Sequence, residues 1–407
     1  MHICTKIIFG GLLLAVACEI ALCQASPAGN YSLIRDAAEA LANGDLAKAE
    51  VELQTVLRTD PADYRALNFL GIVRAQQGRN HEAEDLFHQA IQRKPDFASA
   101  HVSLGMLYIQ MNRPADAVAE LQHALKLDPG RSDALAPLLN VLRSQARDAI
   151  KAGDPEKALA LLIQARSAAS KDPGVLFDFG MVALRMSLFP DAVQAFQDLL
   201  AERKDDPTAL YALGRAQIGL SKFQEAYASF ERYVQLRPTD ASGFYALGVI
   251  LTALQKNAEA RVQFEQSVKL QPQQTEAYSK LGLLDLEDNQ LDDAARQFEQ
   301  VLKHNPSHAE ALAGMGELEF RRKNYTVASD LLQRSIAGDS SLREAHYYLG
   351  LTYARLGRAA DSSSELQKAT ELDREDLDRH RTIFRLLTPE EAAAAEAEQN
   401  KPEPTKP

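Results

Sequence analysis

The sequence predicts an all-α protein, a solenoid of short helix pairs stacked one after another. Three observations lead there. Ala, Leu and Gln are plentiful, while aromatics make up only 7% and Trp is absent, a mix that favours helices over strands. A Leu-Gly pair returns about every 34 residues, at Leu70-Gly71, Leu104-Gly105, Leu213-Gly214, Leu247-Gly248, Leu281-Gly282 and Leu349-Gly350, with Phe179-Gly180 and Met315-Gly316 completing the series. Twelve residues after each glycine stands a small residue (Ala83, Ala117, Ala192, Ala226, Ala260, Ala294, Ala328, Ser362). Four further on is a bulky apolar one (Phe87, Leu121, Phe196, Phe230, Phe264, Phe298, Leu332, Leu366). A period of this size marks a repeat array, in which one unit cannot bury its apolar face alone and stacking buries it instead.

Composition narrows the function classes. The 407 residues include 46% hydrophobic ones, enough for a buried core, which excludes wholesale disorder. Forty-five basic residues stand against 56 acidic ones, a net charge of −11. That balance argues against nucleic acid or an anionic membrane as general partner.

Along the chain, residues 1–25 read as an address. Lys6 supplies a basic start and Ile7 to Ala17 an apolar run, which Glu19 cuts short of the ~18–20 residues that span a bilayer. Small residues precede a cut after Ala25, the pattern of a secretory signal peptide. Export is therefore expected, to the periplasm or outside the cell. Ala15-Val16-Ala17-Cys18 also resembles a weak lipobox, so a lipoprotein anchored through Cys18 is the alternative, and membrane contact is expected only in that case. Cys4, Cys18 and Cys23 all fall in this segment, leaving a chain cut after Ala25 without a thiol.

From residue 30 the helix pairs follow. A lone Gly inside a helix costs about 1 kcal/mol relative to Ala, so eight of them require a compensating close approach of two helices. The expected partner is the Ala of the second helix, with the Phe or Leu one turn on filling the seam. Pro61, Pro95, Pro129, Pro238, Pro272 and Pro306 stop second helices. Asn43-Gly44, Gln77-Gly78, Gly153-Asp154 and Leu356-Gly357 mark turns within pairs.

These residues, Leu-Gly, Ala, Phe and a closing Pro at a 34-residue period, resemble the tetratricopeptide repeat. The resemblance covers residues 30–376 in ten repeats starting at 30, 64, 98, 139, 173, 207, 241, 275, 309 and 343. It implies a right-handed α-solenoid of about ten helix-turn-helix repeats. Repeats 1 and 4 depart from it with Ala37 and Ala146 in place of the Gly, and the family's frequent Trp is missing. Repeats 1–3 span 30–131, an insertion at 132–138 lengthens the next helix, and repeats 4–10 span 139–376. The alternative for the insertion is a joint between two modules. Residues 377–388 read as a C-terminal capping helix with Ile383, Phe384, Leu386 and Leu387, and 389–407 as a disordered acidic and Pro-rich tail.

Catalytic chemistry finds little support. No Gly-rich phosphate loop occurs, since the glycines stand singly and serve packing. His304 and His308 have the spacing of two metal ligands on one helix face, but Pro306 between them breaks the register. Asn30-Tyr31-Ser32 and Asn324-Tyr325-Thr326 are sequons with meaning only in a eukaryotic secretory route. No enzyme activity, cofactor or metal is expected.

The resemblance instead points to a concave groove lined by the first helix of each repeat, at its second, fifth, sixth, ninth, twelfth and thirteenth places. The fifth place carries Phe177, Tyr211, Tyr245 and Tyr347, and the ninth carries Arg147, Met181, Arg215 and Val249. Arg143, Lys151 and Arg185 add positive charge, while Glu276, Glu287, Glu310, Glu317 and Glu344 turn the far end acidic. The expected partner is a protein or peptide with acidic and apolar residues, gripped mainly by Phe177, Tyr211, Tyr245 and Arg215. The competing expectation is that the aromatics pack only on the next repeat and the arginines pair with nearby acids. The family's Lys/Asn clamp for a peptide C-terminus does not recur: Asn68 has the right type, but its companions are Ile72 and Ser103.

Overall fold

The computed structural model describes residues 28–378, and among the described residues there are twenty helices and no strand. They form ten pairs. In chain order these are α1 (Ala28–Ala42) and α2 (Leu46–Thr59), α3 (Tyr64–Gln76) and α4 (Asn80–Arg93), α5 (Ala98–Gln110) and α6 (Pro114–Leu127). Then come α7 (Ser132–Lys151) and α8 (Pro155–Ala168), α9 (Pro173–Arg185) and α10 (Phe189–Glu202), α11 (Pro207–Gly219) and α12 (Phe223–Leu236), α13 (Ala241–Ala253) and α14 (Asn257–Leu270). The last are α15 (Thr275–Glu287) and α16 (Leu291–His304), α17 (Ala309–Arg321) and α18 (Tyr325–Gly338), α19 (Arg343–Arg355) and α20 (Ala359–Asp378). The address at 1–25, the tail, and nearly all of the cap lie outside the described residues. α20 runs unbroken through 376 to Asp378, so no new element begins at Leu377.

Two compact units result, one ending at Val182 and one beginning at Ala183. Their boundary falls within α9 and not at the insertion. In the first unit Leu53, Phe69, Phe87, Leu121, Leu138 and Leu142 belong to one continuous core. In the second, Phe230, Tyr245 and Phe264 form one cluster, Phe298 and Val301 another, and Leu332, Leu349 and Tyr353 a third. α7 absorbs the insertion as a single helix of 20 residues with Pro137 inside it. An interior Pro costs about 3 kcal/mol, but α7 buries Leu138, Leu139 and Leu142 at roughly 1.5–3 kcal/mol each, so burial wins.

The seam glycines show how most of the pairs close. A Cβ built on Gly71 would lie 2.5 Å from Phe87 Cε1, on Gly248 2.5 Å from Phe264 Cε1, and on Gly316 2.5 Å from Leu332 Cγ. What fills the space is the bulky residue itself, not the Ala expected to face the Gly. At Gly105 the Ala117 carbonyl also comes close, 3.4 Å from such a Cβ. Ala83, Ala117 and Ala260 are nonetheless fully buried, because any larger side chain there would push the two helices apart.

The turn inside each pair is built alike throughout. In the second pair the Arg79 N–H donates to the Arg74 carbonyl at 2.9 Å and the Gly78 N–H to the Ala75 carbonyl at 3.0 Å. This is a Schellman-type stop, whose hinge residue must take positive φ. Gly44, Gly78, Gly153 and Gly357 supply it at φ 76–79°, but Asn112, Ser187, Ser221, Gln255, Asn289 and Lys323 occupy the same place at φ 56–66°. Between pairs, Asp side chains cap the following helix. Asp63 accepts from the Arg65 and Ala66 N–H groups at 2.9 and 3.1 Å, and Asp206 from Ala209 at 3.1 Å.

Candidate binding surface

The first helices, odd-numbered here, carry the residues expected to line a groove. In the first unit Arg143 on α7 is not free to grip a partner. Its Nε donates to Asp178 Oδ2 on α9 at 2.6 Å, and its guanidinium lies so close to Gly174 that a Cβ there would fall 2.5 Å from Nη1. Gly174 thus makes room for a staple between two successive first helices. One turn on, Arg147 is exposed and forms no ion pair with a described residue. Lys151 and Asp148, 3.7 Å apart, are both largely exposed, and such a pair contributes little. Phe177 and Met181 on α9 are half-buried.

In the second unit the expected aromatic anchors prove to be core. Tyr211 is 2% exposed, with its ring edge-on to Phe230 at 5.2 Å and to Tyr233 at 5.1 Å. Tyr245 is 5% exposed and packs on Phe264 at 5.9 Å. Burial drives its phenol well above the ordinary range, helped by the charges of Glu310 and Glu276. Val249 is likewise buried. These three therefore serve packing, and of the fifth-place aromatics of this unit only Tyr347 is open, at 39% exposure. The Arg343 guanidinium lies 5.7 Å from its ring centre and Tyr348 meets it edge-on at 5.3 Å.

The cations differ. Arg215 on α11 is half-buried and Arg185 is exposed, and neither forms an ion pair with a described residue. The acids of the far end are mostly answered internally. Glu310 accepts from Ser279 Oγ at 2.8 Å and Lys280 Nζ at 2.6 Å. Burial raises its pKa, yet the charge and hydrogen bond of Lys280, with Ser279, hold it below the usual value. Glu317 accepts from Arg321 at 2.5 Å and from the Tyr348 hydroxyl at 2.7 Å, while Arg321 also donates to the Leu286 carbonyl at 2.8 Å. Glu287 accepts from Asn257 at 2.7 Å, and Glu344 stands 3.3 Å from Arg343. His308 caps α17, its Nδ1 accepting from the Ala311 N–H at 3.2 Å, so it is a structural residue.

Sequence reasoning missed a set of polar staples between successive repeats. Arg74 on α3 donates to Glu50 on α2 at 2.8 Å, Tyr108 on α5 to Glu84 on α4 at 3.0 Å, and Arg261 on α14 pairs with Asp285 on α15. In each case the partners are 24 residues apart. The signal was present: a polar residue at the eleventh place of a first helix, with its complement 24 residues upstream.

Models of the tetratricopeptide repeat match residues 37–96, 143–207, 177–241, 211–275 and 279–342, with further matches at 74–140 and 344–376. Among curated proteins, the human Protein O-mannosyl-transferase TMTC3 is 39% identical over 67 residues, 16% of this chain and 7% of that protein. The Cellulose synthase operon protein C of Escherichia coli K12 is 34% identical over 140 residues, 33% of this chain and 12% of that protein. The chain thus spans a small part of the curated relatives it matches. The solved structure of yeast Tom70 aligns at a TM-score of 0.40 and 14% identity, over 91% of this chain and 96% of that one. With the helix pairs, the glycine seams and family matches over most of its length, the chain belongs to the tetratricopeptide repeat family.

Proposed function

We propose that this protein is a non-enzymatic scaffold working outside the cytoplasm, which binds a protein or peptide segment on the open parts of its first-helix faces and so assembles complexes. Membership of a family built for stacking supports the scaffold reading, since each repeat adds surface without adding a catalytic pocket. The observation that carries the choice of partner is Arg215, a half-buried residue whose guanidinium forms no ion pair with an acid among the described residues. An arginine without an internal acid is available for a charge-assisted, bidentate hydrogen bond to a carboxylate arriving from outside. Arg185 in the same unit, and Arg147 in the other, carry the same unmet charge. The partner segment is therefore acidic, with apolar residues that meet half-buried side chains such as Leu283 and Leu351.

The test is fluorescence anisotropy with labelled peptides of matched length that differ in acidic and apolar content. Acidic-apolar peptides are expected to bind, with a loss of about tenfold for Arg215→Glu at unchanged helicity. Equal binding by that variant would remove Arg215 from the site. The alternative, a lipidated assembly factor of an envelope or polysaccharide secretion system, rests on Ala15-Val16-Ala17-Cys18. Mass analysis of the mature N-terminus decides between them: a free N-terminus at or near Ser26 for the soluble form, a lipid on Cys18 for the anchored one.

A further inference from the structure

Two histidines 245 residues apart hold the same place in their repeats and make the same bonds. His101 is the fourth residue of α5 and His346 the fourth of α19, and both are buried. His101 Nδ1 lies 2.7 Å from Glu120 Oε2 on α6 and its Nε2 lies 3.2 Å from the Pro95 carbonyl oxygen in the preceding loop. His346 Nδ1 lies 2.6 Å from Glu365 Oε2 on α20 and its Nε2 lies 3.1 Å from the Ser340 carbonyl oxygen. Each ring thus joins three pieces: its own helix, the second helix of its repeat, and the loop arriving from the repeat before.

All four partners are acceptors. A neutral imidazole has one N–H and one lone pair, so it can answer only one of its two acceptors, and turning the ring over changes nothing. The doubly protonated ring answers both. We propose that His101 and His346 are proton-operated latches, closed when the ring is charged, that fix the joints between repeats 2 and 3 and between repeats 9 and 10. When the ring is neutral the short carboxylate contact keeps the remaining proton, and the bond to the loop carbonyl is the one released. Each latch is thus complete while its ring holds two protons and one bond short once it holds a single proton.

The surrounding groups set a difference between the two. His101 faces Glu120 and also the ring of His123, 4.3 Å away and likewise on α6, while Lys94 of the loop is held over the Tyr64 ring at 4.9 Å. His346 meets Glu365 from α20, and Asp339 of its loop is engaged by the Ser341 N–H and hydroxyl at 2.9 and 2.6 Å. A charge on His123 would oppose one on His101.

Hydrogen exchange of the full chain, at about pH 5.5 and about pH 8 and corrected for intrinsic chemical exchange, tests the proposal. Protection in peptides covering 94–104 and 339–349 is expected to fall about tenfold at the higher pH, while α13 and α14, which hold no histidine, stay within about twofold. Glu120→Gln and Glu365→Gln make the decisive comparison. An amide can donate to Nδ1 while Nε2–H serves the carbonyl, so a neutral ring then answers both partners. These variants should keep full protection at the higher pH and lose the pH dependence. Wild-type protection that ignores pH, an equal change in α13 and α14, or variants deprotected at both pH values would each overturn the latch, the last by reducing it to an ordinary ion pair.

Discussion

Replacing Gly248 by Ala sets two opposing effects against each other. Helix propensity alone favours Ala over Gly by about 1 kcal/mol. The seam opposes it: the new Cβ would stand 2.5, 2.6 and 2.8 Å from the Cε1, Cδ1 and Cζ atoms of Phe264, where carbon atoms ordinarily meet at about 3.5–4.0 Å. The ring must therefore retreat by roughly 1 Å, and Phe264 is buried against Tyr245 with little room to do so. Overpacking of this kind costs about 1–3 kcal/mol, which leaves a net loss of up to roughly 2 kcal/mol. The sign reverses when the ring is gone. In a Phe264→Ala background, itself about 3–5 kcal/mol less stable, the added methyl enters the vacated space and the propensity term acts unopposed. A double-mutant cycle on the exchange free energies of α13 and α14 should therefore give a coupling of at least about 1 kcal/mol. A stabilising Gly248→Ala, or the same effect in both backgrounds, would refute the seam.

Other expectations follow from the same geometry. Gln255→Gly at a left-handed turn place (φ 60°) should stabilise the protein by up to about 1 kcal/mol, and Gly78→Ala (φ 78°) destabilise it by a similar amount; urea midpoints check both. Glu50, whose carboxyl the hydrogen bonds from Arg74 and Gln77 hold at about 2, contributes stability that is fully present above the ordinary carboxyl range and lost as the pH falls through about 2. With its carboxylate about a quarter exposed, that amounts to an order of 1–2 kcal/mol, and Glu50→Gln should flatten the acid limb of the stability profile of α2 and α3. Phe230→Ala should unfold neighbouring repeats locally and broaden the thermal transition; a single sharp transition of unchanged width would contradict this.

The seams were legible because they rest on identity: only Gly admits the ring of Phe87 or Phe264 at these distances, and the 16-residue interval is readable without coordinates. The surface was much less so. Place five of a first helix was expected to face a groove, yet Tyr211 and Tyr245 lie in the core while Tyr347 is open. Which way such a residue is covered depends on the packing of the next helix, and that offset has no residue type of its own. Arg143 and Arg215 show the same limit. Both are arginines on first helices, but one has Asp178 and a glycine beside it, and the other forms no ion pair with a described residue.

The polar staples also bear on how such an array could have grown by copying. Glycine seams recur in most pairs and the turns are built alike, so they do little to distinguish one neighbour from another. The staples can: α3 offers Arg74 to the Glu50 behind it, whereas α15 offers Asp285 to an Arg261. A recombination that joined α14 directly to α3 would keep every seam and turn intact while setting Arg261 against Arg74, two cations contending for one site. Out-of-order splices of this protein would thus retain the shape of a repeat array and fail at the junction, so the order of the repeats is itself inherited information.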